Sequence, residues 1–326
     1  MKNKLVSIIT PCYNTGKLIS RLLDSVLMQD YPSIEMIVVD DGSTDNSKEV
    51  IEGYIPKFEE KGYSLRCIVQ ENSGQSVAIN NALKLVEGEY LVWPDSDDFY
   101  STPQAISRMV QVLEGANDDV STVRCLAEYV DEETLEVEKR IAAAEEQTEP
   151  FEDCLLFKSH FWFCAGAYMA RISAIDARIK DRDIYTQKDA GQNWQLMLPI
   201  FYKKKCITIN EYHYKVLQRN CSHTRGQYKT FEQRMKVYDA YCNTIVGTLQ
   251  RMYFIASDEM EFYIKSIERK YILLKYEQCL VNNRKEEAKM LEKSLMEKTE
   301  TEIPLKLRIR YWLLPMYICV RRLLGR

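Results

Sequence analysis

Histidine, proline and glycine are scarce in this chain, at three, nine and 12 of 326 residues. So little Pro and Gly excludes a collagen-like or linker-dominated polymer. What remains is a globular chain, long enough at ~150 residues per domain for roughly two domains and a large core. An excess of positive charge is missing too: the formal net charge is −4, which argues against nucleic acid as a partner. The ten cysteines include no C-x-x-C pair and read as buried, reduced thiols, not as a disulfide framework. With His160, His213 and His223 widely spaced, a zinc site is not expected. No apolar run reaches the ~18 residues that a membrane span needs. The amino-terminal run Val6 to Thr10 stops at Pro11 and reads as a β-strand, not a signal peptide. The expectation is a soluble, cytoplasmic protein. Neither a P-loop nor a G-x-G-x-x-G is present, which counts against a kinase and a dinucleotide dehydrogenase.

What is present is an alternation of strands and helices. Strands are expected at Val6 to Thr10, Glu35 to Val39, Leu65 to Val69 and Tyr90 to Trp93. Helices are expected at Lys17 to Gln29, Thr44 to Phe58, with Asp45 as a cap, and Val77 to Val86. Such an alternation predicts a mainly parallel sheet with helices on both faces. A polar cluster follows each strand: PCYNTG, DDGSTD, ENSGQS and DSDD. Ligands of open parallel sheets bind outside the carboxyl ends of the strands, so the four clusters outline one site. In the last, Asp95, Asp97 and Asp98 put three carboxylates within four residues, which calls for a positive partner. Hard oxygen donors of this kind suit Mg²⁺ or Mn²⁺.

Beyond these, a helix is expected over Gln104 to Gly115 and a strand over Val120 to Tyr129. The acidic run Asp131 to Pro150 reads as a solvated hairpin or loop. Leu155 to Met169 reads as a core strand pair whose aromatic side chains can at the same time line a ligand pocket, with His160 packed in it. A helix over Trp194 to Phe201 and a strand over Ile207 to Leu217 follow, then a polar loop holding His223. Thr230 to Lys298 is a helical pair or bundle. From Ile303 to Arg326 the chain carries Lys306, Arg308, Arg310, Arg321, Arg322 and Arg326, with no acid, around YWLLPMYICV. That composition suits a segment lying in an anionic membrane interface; a helix docked on the protein or a dimer contact would use it too.

In order and spacing, SIITPCYN (Ser7 to Asn14), VVDDGSTDNS (Val38 to Ser47), NSGQS (Asn72 to Ser76) and GEYLVWPDSDD (Gly88 to Asp98) resemble the family 2 glycosyltransferases. The resemblance implies a GT-A (Rossmann-like) α/β fold over residues 1–225. Within it, 1–103 would bind the nucleotide sugar and 104–225 the acceptor; a helical region at 226–302 and a basic amphipathic tail at 303–326 follow. It also implies an inverting transfer of sugar from a nucleotide diphosphate-sugar, UDP-linked by expectation, to a glycan or lipid-linked acceptor. Surface polysaccharide assembly at the inner face of the cell membrane would be the setting. Pro11, Tyr13, Asn14, Asp41, Asn72 and Asp95 would hold the nucleoside, and Asp95 with Asp97 the Mg²⁺ or Mn²⁺. Asp98, Gln192, Asn193, Trp194 and His223 are candidates for diphosphate or acceptor contacts, with Arg219 and Arg225 as basic neighbours of the His223 loop. The family's base is an acid in an E-D-like pair, and this chain has Gln192-Asn193 there. Asp189 is the nearest carboxylate for that role, or else the cap of the helix that follows. The amides keep open a binding-only scaffold, and the fold keeps open a nucleotidyltransferase, although PCYNTGK is a poor phosphate loop. The oligomeric state is left open.

Overall fold

The protein is described here by a computed structural model, which covers residues 3–158, 160–188, 191–219, 230–309 and 311. The chain divides into two compact units, Met1–Asn220 and Cys221–Arg326.

The first unit is built on one sheet. Its strands are β1 (Val6–Cys12), β2 (Ile34–Asp40), β3 (Ser64–Val69), β4 (Tyr90–Val92), β5 (Phe99–Tyr100), β6 (Val120–Asp131), β7 (Val137–Arg140), β8 (Gln147–Thr148), β9 (Tyr168–Arg171) and β10 (Lys205–Gln218). They run in the order β3-β2-β1-β4-β9-β6-β10-β5, with β7 paired to β6 and β8 to β10. The first four strands are parallel. β9 is antiparallel to both of its neighbours, and β6 pairs in parallel with β10. Every residue of β1 (VSIITPC) and β2 (IEMIVVD) is buried. Continuous burial without alternation means that both faces of the sheet are covered.

Crossover handedness says by what. The helices α1 (Ile19–Leu27) and α2 (Ser47–Lys61) each carry the chain one strand towards β3, whereas α3 (Gln75–Leu83) carries it back past β1 to β4. Right-handed crossovers in opposite directions put α1 and α2 on one face and α3 on the other. α1 and α2 accordingly touch each other. On α1, Ile19, Leu22, Leu23 and Val26 are buried at helical spacing. The order reverses between β1 and β4, the topological switch point at which such sheets bind ligands.

The second half of this unit adds α4 (Ala105–Gly115), α5 (Phe151–Leu156), α6 (Ile172–Arg178) and α7 (Asn193–Phe201). α7 packs against α5, α6 and β6, and all residues from Trp194 to Phe201 are buried. The acidic run after β6 is the expected exposed hairpin, its strand β7 paired to β6. Leu155 to Met169 differs from the expected strand pair. It ends α5, runs irregularly to a 3₁₀ turn at Ala165–Ala167, and becomes a strand only at Tyr168. Packing explains the difference: a Cβ on Gly166 would collide with the Tyr214 ring. Backbone sits against that ring where a strand would place a side chain. His160 is 65% exposed and bonds Asp153, so it does not join the aromatic packing.

Among the described residues the second unit contains the helices Phe231–Arg251, Ser257–Val281 and Lys285–Thr299 and a short helical stretch at 305–309. The first opens with a capping box between Thr230 and Gln233. Ile272, Tyr276, Cys279, Leu280, Ala288 and Leu295 form a core that Ile303 and Leu307 complete. The basic segment therefore begins inside this core. Residues 312–326 lie outside the described residues. Among the described residues no helix is long and apolar enough to cross a membrane.

Candidate active site

At the switch point the strand-end loops are tied to one another. Asn14 adopts a left-handed conformation at φ 52°. Its N–H donates to Ser43 Oγ (2.9 Å), and its Oδ1 accepts from the Thr44 N–H (2.8 Å). Next to it, the Thr15 N–H donates to Ser47 Oγ and the Gly16 N–H to Asp45 Oδ2, both at 3.0 Å. A Cβ on Gly16 would collide with Asn46 Oδ1, so only glycine permits this approach. Asp45 was expected to cap α2. The N-cap is instead Asn46, without a side-chain cap bond; Asp45, one residue earlier, accepts the Ser47 N–H, and its other oxygen serves the first loop.

Asp41 joins the second loop to the third. Its carboxylate accepts from the Ser73 N–H (2.7 Å), Gln70 Nε2 (2.7 Å) and the Gly74 N–H (2.8 Å). Those bonds fix the third loop and start α3 at Gln75, two residues before the expected position. Thr15 Oγ1 meets Ser96 Oγ at 3.1 Å and so joins the first loop to the fourth. Around these ties Tyr13, Asn14 and Asn72 are exposed, while Pro11 and Asp41 are buried.

The three clustered acids face different partners. Gln192 Nε2 donates to Asp95 Oδ1 at 2.9 Å. Arg219, at the end of β10, places Nε 2.9 Å from Asp97 Oδ2. Asp98 turns the other way and is buried: its oxygens accept from the Leu217 N–H (2.9 Å) and the Tyr214 hydroxyl (3.3 Å). It was expected among the diphosphate or acceptor contacts; both of its oxygens are engaged by β10 in this structure. Burial first, and the charge of Asp97 second, push the Asp95 carboxyl up to about 6, against the pull of Gln192 and Arg219. The same two causes, then Asp95, hold Asp98 well above the usual carboxylate range.

Across from the acids lies the start of α7. Gln192 is 1% exposed, and Asn193 Oδ1 is buried with no hydrogen-bond partner among the described residues. The Trp194 indole N–H donates to the Cys154 carbonyl at 3.0 Å. The chain reaching this helix is held to the third loop. Ser76 Oγ bonds both Gln187 O and the Gln187 N–H, and Lys188 Nζ bonds Asn72 O. Gly74 stands at φ +95°, and a Cβ there would lie 2.6 Å from the Lys188 carbonyl oxygen. Asp189, His223 and Arg225 lie outside the described residues. The contacts of Gln192 with Asp95 and of Thr15 with Ser96 had no sequence signal, because each joins residues far apart in the chain.

The donor set can be tested against a divalent ion. Asp95 and Asp97 supply hard oxygens, they repel one another, and a cation already stands beside Asp97. Among the described residues no group of three or more His, Cys, Asp or Glu could enclose a metal. Two carboxylates without a cage fit an ion of the Mg²⁺ or Mn²⁺ type that a diphosphate and water complete.

Comparison with known proteins extends this picture. The chain is 44% identical over 94 residues to TuaG of Bacillus subtilis, a putative teichuronic acid biosynthesis glycosyltransferase, covering 29% of this chain and 36% of TuaG. It is 35% identical over 119 residues to the glycosyltransferase GlyG of Streptococcus pneumoniae, covering 36% and 38%. The matched region thus spans well under half the length of these relatives. Among solved structures, S. aureus TarS in complex with UDP matches with a TM-score of 0.57 at 19% identity, over 82% of this chain and 72% of that one. The mannosyltransferase PcManGT of Pyrobaculum calidifontis, in complex with GDP-Man and Mn²⁺, matches with a TM-score of 0.54 at 16% identity, over 100% and 89%. At such identities the likeness speaks for the fold, and that fold is GT-A. The family profile described as Glycosyl transferase family 2 matches residues 7–178, more than half of the 326. This protein belongs to glycosyl transferase family 2.

Proposed function

We propose that this chain is an inverting glycosyltransferase that takes a nucleotide diphosphate-sugar and passes the sugar to a hydroxyl of a glycan or lipid-linked acceptor. The observation that carries the reading is the junction at the switch point, where Thr15, Ser96, Asp41 and the acid pair Asp95 and Asp97 converge. TarS is described with UDP and with UDP-GlcNAc and PcManGT with GDP-Man and Mn²⁺, which supports a nucleotide sugar with a divalent ion. The name of TuaG supports surface polysaccharide as the pathway.

In this reading Pro11, Tyr13, Asn14, Asp41, Asn72 and Asp95 receive the nucleoside, and Asp41 also ties the loops that shape its seat. Asp95 and Asp97 would hold Mg²⁺ or Mn²⁺, which when bound neutralises charge developing on the diphosphate leaving group. Arg219 supplies a positive partner for the phosphates, a role in which the sequence also puts His223 and Arg225, which lie outside the described residues. Gln192 orients Asp95 through its hydrogen bond, and Asn193 has an acceptor oxygen to spare for a sugar hydroxyl. The proton of the acceptor goes to Asp189, which directly follows the Lys188 held against the third loop. The basic tail would keep the enzyme at the inner face of the membrane.

The use of the Gln192 amide on Asp95 favours one alternative, a protein that binds a nucleotide sugar without transferring it. Thermal shift with UDP-GlcNAc, UDP-glucose and GDP-mannose, with and without Mn²⁺, tests the shared part. A donor at 100 times its Kd adds about 2.7 kcal/mol of stability. Mn²⁺-dependent stabilisation by one donor is expected, and no response to any of them would remove both readings. Transfer then separates the two, with Asp189→Asn expected to cut turnover by ~10²–10⁴ at unchanged donor affinity.

A further inference from the structure

Phe157 is placed where few proteins tolerate a phenylalanine. It ends α5 in a left-handed conformation, φ 46° and ψ 60°, and is 51% exposed. Its N–H and that of Lys158 bond back to Cys154 O (3.2 Å) and Asp153 O (3.0 Å), an ending that usually takes glycine. A left-handed backbone is strained for an L-residue with a side chain, and a half-exposed ring gives up apolar burial as well. The backbone at this position therefore suits glycine better than phenylalanine.

The ring is nevertheless held firmly. It stacks on Phe163, with centroids 5.0 Å apart and planes at 27°. Phe163 meets Trp194 edge to face at 4.9 Å, and the Trp194 indole bonds Cys154 O on α5, which closes the circuit. At the foot of this shelf, Asp153 binds Lys158 Nζ (2.8 Å) and His160 Nε2 (2.7 Å), a set of exposed or half-exposed polar groups. Trp194 stands two residues beyond Gln192, which bonds Asp95. The start of α7 therefore carries both a brace of the shelf, Trp194, and a partner of the acid pair, Gln192.

We propose that Phe157, braced by Phe163 and Trp194, is a stacking platform for one pyranose ring of the acceptor, with Asp153, Lys158 and His160 available to its hydroxyls. The C–H groups on one face of a hexose form an apolar patch with slight positive charge, which matches the negative face of an aromatic ring. Charged and imidazole groups at the rim match paired hydroxyls. A protein partner would need about 800 Å² of surface, whereas here one exposed ring is bordered by charge. The assignment rests on the transferase reading for its choice of ligand, yet sugar binding can be measured without a donor.

Saturation-transfer NMR of the full chain with methyl glycosides of glucose, galactose, mannose and N-acetylglucosamine is the test. At least one glycoside is expected to receive saturation on the protons of one ring face. The signal should survive in Phe157→Trp and fall at least tenfold in Phe157→Gly. Glycine suits the left-handed backbone, so Phe157→Gly removes the ring and keeps the fold. Absence of glycoside binding in the parent protein, equal binding by Phe157→Gly, or a marked fall in its melting temperature would overturn the proposal. The last result would show that the ring serves packing. Glycoside binding without any nucleotide-sugar response would instead leave the platform standing and remove the transferase reading.

Discussion

Gln192 and Asp95 are joined by a 2.9 Å hydrogen bond from carboxamide to carboxylate across the candidate site. That bond favours the charged form of an acid whose titration burial and Asp97 have pushed up to about 6. A folded-state value above the unfolded one means that the native protein holds the extra proton between about pH 4 and 6. Asp95 therefore favours the metal-free fold fully below the unfolded value, and that contribution is lost as pH rises through 6. The size is about 2–3 kcal/mol at 1.36 kcal/mol per unit. Melting curves from pH 4 to 8 should show the decline, Asp95→Asn should flatten it, and Gln192→Ala should move it to higher pH. An identical pH profile in Asp95→Asn would assign the titration to another group.

Asp97 is paired with Arg219 and lies within reach of Asp95 only through repulsion. Asp97→Asn removes half of the donor set while keeping the shape of the side chain. Metal-dependent stabilisation by a nucleotide sugar should then fall at least tenfold in ligand concentration, with the metal-free melting temperature little changed. Calorimetry with and without Mn²⁺ decides it; a normal Mn²⁺ response would take Asp97 out of the site.

Gly74 offers a test of how the loops support the site. At φ +95°, with Lys188 O only 2.6 Å from where a Cβ would stand, Gly74→Ala has neither a comfortable backbone nor room. Misfit of this kind costs roughly 1–3 kcal/mol. It would part the third loop from the segment that enters α7, so donor affinity should weaken together with stability. Full stability in Gly74→Ala would show that the loop relaxes easily.

Much of the first unit was legible from residues 6 to 98, because buried parallel strands are continuous apolar runs and the loops after them are polar. The motifs DDGSTD and DSDD marked the candidate site for the same reason. Their division of labour was not legible. Asp95, Asp97 and Asp98 are equivalent in sequence, and only β10 folding back separates them, by placing Leu217, Tyr214 and Arg219 beside different acids. Leu155 to Met169 misled because an apolar aromatic run looks alike whether it builds a strand or packs around a tryptophan. Gly166 was the one residue there that signalled a close approach of backbone to a ring.

The carboxyl-terminal segment divides by burial, and the membrane proposal follows that division. Ile303 and Leu307 are 2% and 9% exposed in the helical core, and Tyr311 packs against it. Deletion from Ile303 onward should therefore destabilise the second unit whatever the segment does elsewhere. Deletion of residues 312–326 keeps those contacts while removing Arg321, Arg322, Arg326 and most of the apolar stretch. If the segment binds an anionic surface, each basic residue contributes about 1 kcal/mol within a Debye length. Losing three of them should lower the affinity for phosphatidylserine vesicles by roughly two orders of magnitude at 1.4 kcal/mol per tenfold. Burial of Trp312, Leu313 and Leu314 in the interface would leave a part of the parent protein's binding resistant to salt. Vesicle sedimentation at low and high salt reads both effects, alongside melting curves. Equal sedimentation of the shortened and parent chains would show that the tail serves the protein rather than the membrane.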